Sequence, residues 1–320
     1  MSPSVQKARR GLRIYLLTLA VITVILTAPD RILAMLLPGG PFLLVRSLRH
    51  FYASAPFLVW FVIGWFGPAL ASIIARQLQS EGFDDVSFEL HGPWMGRAML
   101  IAWLWPVVPG LFVYGLAWLS GATRMRLGAA WPPFDGWGPE QLVKISLAGT
   151  PILRAFLIRL IASLLFAIPC SVVTFGQELG WRGYMLTRLI DAKIPAPIFW
   201  NGLAWGFSYL PTVFRASSTA RLEAPWISFF FQVAGMIAIS YLLAYLRLRS
   251  GSVWPAVLGA SSTIVLLLAF DAFTWGNPFW KGELYLLSLG LTTAVVLFLP
   301  RTWAAQVVPE TKVVSVVLTS

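Results

Sequence analysis

Histidine and cysteine are almost missing from this chain. Its 320 residues include two histidines, His50 and His91, and a single cysteine, Cys170. One cysteine excludes an intrachain disulfide, and so sparse a set of soft ligands excludes the usual Cys/His metal sites. No metal and no cofactor is expected. Charge is scarce as well: 12% of residues are charged, against about 25% in an ordinary soluble domain. Acids are the scarcer sign, 13 against 24 basic residues. With so few polar side chains, a water-solvated surface around a core of this size is excluded.

What fills the chain instead is apolar. Hydrophobic residues make up 58% of it, and the mean hydropathy is +0.75. A bilayer accepts such a surface because it is itself the apolar solvent, and the backbone must then close its hydrogen bonds within helices. The expected fold is all-α, a polytopic transmembrane helical bundle of about eight spans. The net charge of +11 does not point to nucleic acid, because the basic residues sit mostly beside apolar runs. There they set topology and meet anionic headgroups.

Each crossing needs about 20 residues. The expected spans are Ile14 to Leu37, Phe51 to Ala75, Met99 to Ser120, Pro151 to Phe175, Ala196 to Leu210, Trp226 to Leu246, Val253 to Phe270 and Leu284 to Leu299. The basic N-terminus and the apolar run after it read as an uncleaved first span, since Pro29 falls where a signal peptide would be cut. Thr150 and Pro151 form a helix start, an N-cap followed by proline at the first helical position. Arg154 and Arg159 follow and are expected to reach out to headgroups. Two segments read as wet: Gln77 to Gly96, with Glu81, Asp84, Asp85 and Glu89, and the Gly-, Pro- and Trp-rich stretch Gly121 to Gly149.

The chain therefore divides into an N-terminal transmembrane region, 1–150, a transmembrane core, 151–300, and a tail, 301–320. Lys7, Arg9, Arg10, Arg13, Arg76, Arg97, Arg188, Lys193, Arg247, Arg249 and Arg301 are expected on one side, which favours a cytoplasmic N-terminus. Trp94, Trp131, Trp226, Trp254 and Trp303 fall near span ends, as interface anchors do. A multi-pass protein of the plasma membrane, of the bacterial inner-membrane kind, is the expected setting.

Charges at membrane depth are functional candidates. Glu178 and Arg182, four residues apart in Phe175-Gly176-Gln177-Glu178-Leu179-Gly180-Trp181-Arg182-Gly183-Tyr184, share a helical face and are expected to form a structural ion pair. Gln177 lies about 100° around the helix and is expected to point elsewhere, into a cavity. Asp271 reads as an interfacial cap, and Tyr209 with Pro211 as the end of the fifth span.

The segment Gly176 to Arg188 resembles the first motif of the CPBP family, the CAAX proteases and bacteriocin-processing or bacteriocin-protection proteins, also called Abi proteins. That motif reads Glu-Glu-x-x-x-Arg, commonly with Gly-Trp-Arg-Gly-Tyr after the acids. Trp205-Gly206-Phe207-Ser208-Tyr209-Leu210-Pro211 resembles the second motif, where a histidine precedes Leu-Pro. Gly251 to Leu258 resembles the approach to the third, a histidine followed four residues later by an asparagine. The order and spacing agree from Pro151 to Phe270, whereas the N-terminal half is similar only in being hydrophobic.

The resemblance implies an intramembrane glutamic endopeptidase. The first glutamate would activate water, and the histidines and asparagine would bind the substrate carbonyl. At those positions this chain has Gln177, Tyr209, Ala260 and Ile264, and only Glu178 and Arg182 match. A neutral amide is no general base near pH 7, and Ala260 and Ile264 offer no donor to an oxyanion. No catalytic residue is therefore assigned. The expected function is a catalytically inactive CPBP-like membrane protein that binds or scaffolds, with a membrane-protein or hydrophobic-peptide partner, or serves as a subunit of a membrane complex. An intramembrane endopeptidase using Glu178 and a transport-associated accessory subunit are the alternatives.

Overall fold

The structure, a computed structural model, describes residues 2–27, 56–120, 124–125, 152–210, 225–272, 274–275 and 290. The eighth expected span apart from residue 290, His50, the stretch from Gly121 to Gly149 apart from residues 124–125, the C-terminal tail and the side chain of Asp271 lie outside the described residues.

Helix α1 runs Pro3–Thr27, so it begins well before the apolar stretch predicted from Ile14. The reason is a stripe at helical spacing that starts in the charged segment: Val5, Ala8, Leu12, Tyr15 and Leu19 are all buried. Helix α2, Pro56–Gln79, packs along α1. The expected third span is two helices, α3 Met95–Leu104 and α4 Val107–Leu119. The chain breaks at Trp105 and Pro106, where proline supplies no N–H to the preceding turn.

Helix α5, Ile152–Gly180, continues through a π-helical turn, Trp181–Met185, into α6, Leu186–Asp191. Helices α7, Pro197–Ser208, α8, Pro225–Ser250, and α9, Trp254–Ala272, complete the core. Each of these three opens on a proline or has one in its first turn, where the missing N–H costs nothing. The described backbone is otherwise without regular pairing, except that β1, Arg124–Met125, bonds antiparallel to β2, Thr274–Trp275.

Among the described residues, three helical stretches are long and apolar enough to cross a membrane: Met95–Leu119, Leu153–Asp191 and Phe229–Ser250. Helix α5 shows why these sequences sit in lipid. Leu153, Leu157, Ile161, Leu165, Ile168 and Val172 recur every third or fourth residue and are all exposed. A continuous outward leucine and isoleucine stripe is untenable in water and ordinary in hydrocarbon. Its inward side instead carries small and hydroxyl residues, with Ser163, Ala167 and Thr174 buried. The chain is thus a membrane protein in contact with the bilayer.

Close helix approach is bought with glycine. A side chain on Gly176 would meet Phe66 Cδ1 at 2.6 Å and the Trp65 carbonyl at 2.9 Å, and one on Gly180 would strike Pro68. The pair holds α2 against α5, two residues on either side of Glu178. Gly202 and Gly206 do the same between α7 and α8, against Ile237 and Val233. Helix α9 lies at the centre, buried on every face from Pro255 to Thr263.

Candidate functional site

The π-helical turn begins three residues after Glu178 and contains Arg182, at the level where α2, α7 and α8 meet it. Such turns add a residue to a helix and often mark functional sites. Here the extra residue is accommodated by closing Leu186 N–H onto the Trp181 carbonyl. That same carbonyl accepts a second bond, from Asn201 Nδ2 on α7 at 2.8 Å. Asn201 is fully buried, and its Oδ1 accepts from Ser240 Oγ on α8 at 3.1 Å. One asparagine therefore ties three helices together. Asn201 belongs to none of the motifs, and its signal in the sequence is an amide inside an apolar helix.

Glu178 and Arg182 are both fully buried, and Arg182 Nη1 donates to Glu178 Oε1 at 2.7 Å. The guanidinium carbon stands 4.3 Å from the centre of the Trp205 ring, a cation–π contact that covers the cation where water is excluded. Tyr15 reaches this layer from α1. Its ring packs edge-on against Trp181, 6.1 Å between centroids, and against Tyr184 at 5.5 Å. Its hydroxyl lies within electrostatic range of Arg182 and Glu178. Neither motif nor spacing announced Tyr15; it belongs to the region with no motif resemblance.

Gln177 turns toward α7. Its Oε1 accepts from Trp205 Nε1 at 3.2 Å, and the Tyr209 side chain faces both. Tyr209 closes the C-terminal end of α7, so it contributes to the interior as well as ending the helix. The structure thus brings Gln177, Glu178, Arg182 and Trp205 into one buried polar layer, with half-buried Tyr209 at its edge.

Ala260 and Ile264 lie on α9, which packs against α5. Thr174 Oγ1 donates to the Val257 carbonyl at 3.0 Å, and Ser261 Oγ to the Ala167 carbonyl at 2.6 Å, so the two helices run antiparallel. Ala260 lies between these contacts in sequence and is buried, and Ile264 is a turn farther along. Of the hydroxyls beside them, Ser261 and Thr263 donate to backbone carbonyls, Thr263 Oγ1 to Gly259 O at 2.7 Å, whereas Ser262 Oγ is buried with no partner among the described residues. His91, the one histidine among the described residues, is exposed on the 80–94 segment, 3.4 Å from Glu89.

A second polar cluster closes one end of the bundle. The segment after α2, expected to be a wet loop, is docked there through fully buried Val86. Arg76 reaches Asp85 Oδ1 at 2.6 Å and the Gly183 carbonyl at 3.1 Å. Arg188 bridges Asp85, Glu81 and Asp191 at 3.0, 3.1 and 2.8 Å. Arg247 donates to the Asp85 carbonyl at 2.8 Å, and Lys7 stands 3.6 Å from Glu81. Of the basic residues expected to share a side, Lys7, Arg76, Arg188 and Arg247 meet at this end, and Arg301 lies outside the described residues. A cavity of about 600 Å³ opens here, between the start of α1, Asp84, Asp85, Arg188 and Asp191. Of the arginines expected to reach headgroups, Arg154 is exposed, whereas Arg159 is buried.

Residues 157–263 match the family described as type II CAAX prenyl endopeptidase Rce1-like. The match takes in Gln177, Glu178, Arg182, Tyr209 and Ala260 and ends one residue before Ile264. No curated protein and no solved structure matches the chain.

Proposed function

We propose that this chain, which through residues 157–263 belongs to the CPBP family, is a CAAX-protease-like membrane protein that binds or scaffolds without cleaving. The observation that carries the reading is the state of position 177. It holds a neutral amide whose oxygen is taken by the Trp205 indole, while the neighbouring carboxylate is spent on Arg182. A hydrolytic base must accept a proton, and the amide cannot. Removing a single oxyanion donor costs about 10²–10³ in rate, and here three polar positions are tyrosine, alanine and isoleucine. The buried Glu178–Arg182 pair then serves as a structural tie. A hydrophobic peptide or the helix of another membrane protein is the partner class, in a bundle of about eight spans with a cytoplasmic N-terminus.

The test is full-length protein reconstituted in vesicles with a prenylated CAAX-type peptide. The reading expects the peptide to remain intact. Cleavage that disappears in Gln177→Ala or Glu178→Ala protein would overturn it.

One observation favours a second reading, an endopeptidase that uses Glu178. The second carboxylate oxygen, Oε2, has no hydrogen-bond partner among the described residues, and Tyr209 faces the same layer with a hydroxyl able to donate. That reading requires Glu178→Gln to abolish cleavage in protein that still folds.

A further inference from the structure

The cations at the closed end of the bundle are in two conditions. Arg76, Arg188 and Arg247 are committed to Asp85 and its segment. Arg9, Arg10 and Arg13 on α1 and Lys193 after α6 are exposed, and no carboxylate among the described residues pairs with them. Of the nearby acids, Glu81, Asp85 and Asp191 all contact Arg188, and Asp84 faces the cavity at the start of α1 without pairing with any of these four cations.

Three of these free cations converge. Arg9 and Arg13 are four residues apart and stack on one flank of α1. Arg9 Nε donates to the Ala192 carbonyl at 3.5 Å, across 183 residues of sequence, which holds that flank against the turn after α6. Lys193 follows at once, exposed, with a left-handed φ of 53°. Like charges so arranged repel, and an anion among them relieves that repulsion. Guanidinium groups match phosphate in geometry, and lysine adds a point charge.

What lies beyond the cations identifies the anion. One turn along α1 from Arg13, Leu16 and Leu17 are exposed, at 37% and 68%. The order outward from the closed end is cation, cation, then apolar surface, which is the order of a phospholipid from headgroup to acyl chain. We infer that Arg9, Arg13 and Lys193 bind the phosphate of one anionic phospholipid whose acyl chain lies along Leu16 and Leu17. The site sits on α1 and the α6–α7 turn, apart from the Gln177 layer, so it does not depend on whether the protein cleaves peptides.

The experiment uses the full chain purified in a neutral detergent. Phosphatidylglycerol or phosphatidylcholine is titrated in, and binding is read by native mass spectrometry and thermal unfolding. The wild type should hold one phosphatidylglycerol and unfold at a higher temperature with it, but not with phosphatidylcholine. The Arg9→Gln, Arg13→Gln, Lys193→Gln triple variant should bind phosphatidylglycerol on the order of tenfold more weakly or worse. Lys193→Gln alone, at an exposed turn that tolerates the change, should show a smaller loss in the same direction. Arg97→Gln, another exposed cation outside the patch, should behave as wild type. Equal weakening by Arg97→Gln, or undiminished binding by the triple variant, would overturn the site. Protection by inorganic phosphate equal to that by the lipid would overturn the lipid as its ligand.

Discussion

Trp205 donates its indole hydrogen to the Gln177 amide oxygen across 3.2 Å, while its ring lies beneath the Arg182 guanidinium. A single side chain from α7 thus fixes both the uncharged motif position and the motif's surviving cation. Replacement separates the two roles. Trp205→Phe keeps a ring and removes the donor, and should cost about 1–3 kcal/mol by leaving a buried acceptor poorly satisfied. Trp205→Leu should cost more, because the cation–π contact goes as well. Thermal unfolding in detergent measures both, and equal losses would contradict the division.

Glu178 and Arg182 should be strongly coupled. Glu178→Gln leaves a fully buried guanidinium without its counter-charge, and Arg182→Met strands the carboxylate. Each single change should cost about 3–5 kcal/mol, and the double change much less than their sum. A double-mutant cycle by unfolding checks this. Additive losses would mean that the pair ties nothing.

Gln177→Glu should not create a protease. The new carboxylate would lie beside Glu178 with one arginine between two acids, and no imidazole stands in the described layer to complete the site. Peptide cleavage should stay at background and stability should fall. Measurable cleavage by this one variant would show that Tyr209 suffices as the donor.

Asp85 binds the 80–94 segment to the bundle through Arg76, Arg188 and Thr187. Its side chain is 26% exposed, so water screens part of the interaction. Asp85→Asn should cost about 1–2 kcal/mol and loosen this segment before the helices. Hydrogen exchange resolved by peptide should rise first between residues 80 and 94.

Gly180 permits α2 to touch α5 next to the ion pair, so Gly180→Ala should push the helices apart. A cost of about 1–3 kcal/mol is expected, typical of overpacking. Gly115, with open space around it, should accept alanine without loss.

The membrane setting and the helical class were legible from composition, and the motif order from Gly176 to Leu258 was legible from residue types. Glu178 with Arg182 was legible as well, because i to i+4 spacing is a local property of any helix. The start of α1 was not: a window rule stops at charged residues, while the helix continues under them on a buried stripe of Val5, Ala8 and Leu12. The break at Pro106 shows the reverse, a proline that interrupts a span where Pro68 and Pro169 do not.

Sequence alone determined that this chain lives in hydrocarbon and which polar groups it carries there, since hydropathy, charge count and helical periodicity depend only on residue order. Only the tertiary structure decided what those groups meet. Tyr15, Trp205 and Tyr209 come to Arg182 from other helices, Asp85 gathers arginines from three segments, and Arg9 reaches the turn beside Lys193. Contacts between residues far apart in the chain follow from how glycine-lined helices approach one another, and no local pattern encodes that distance.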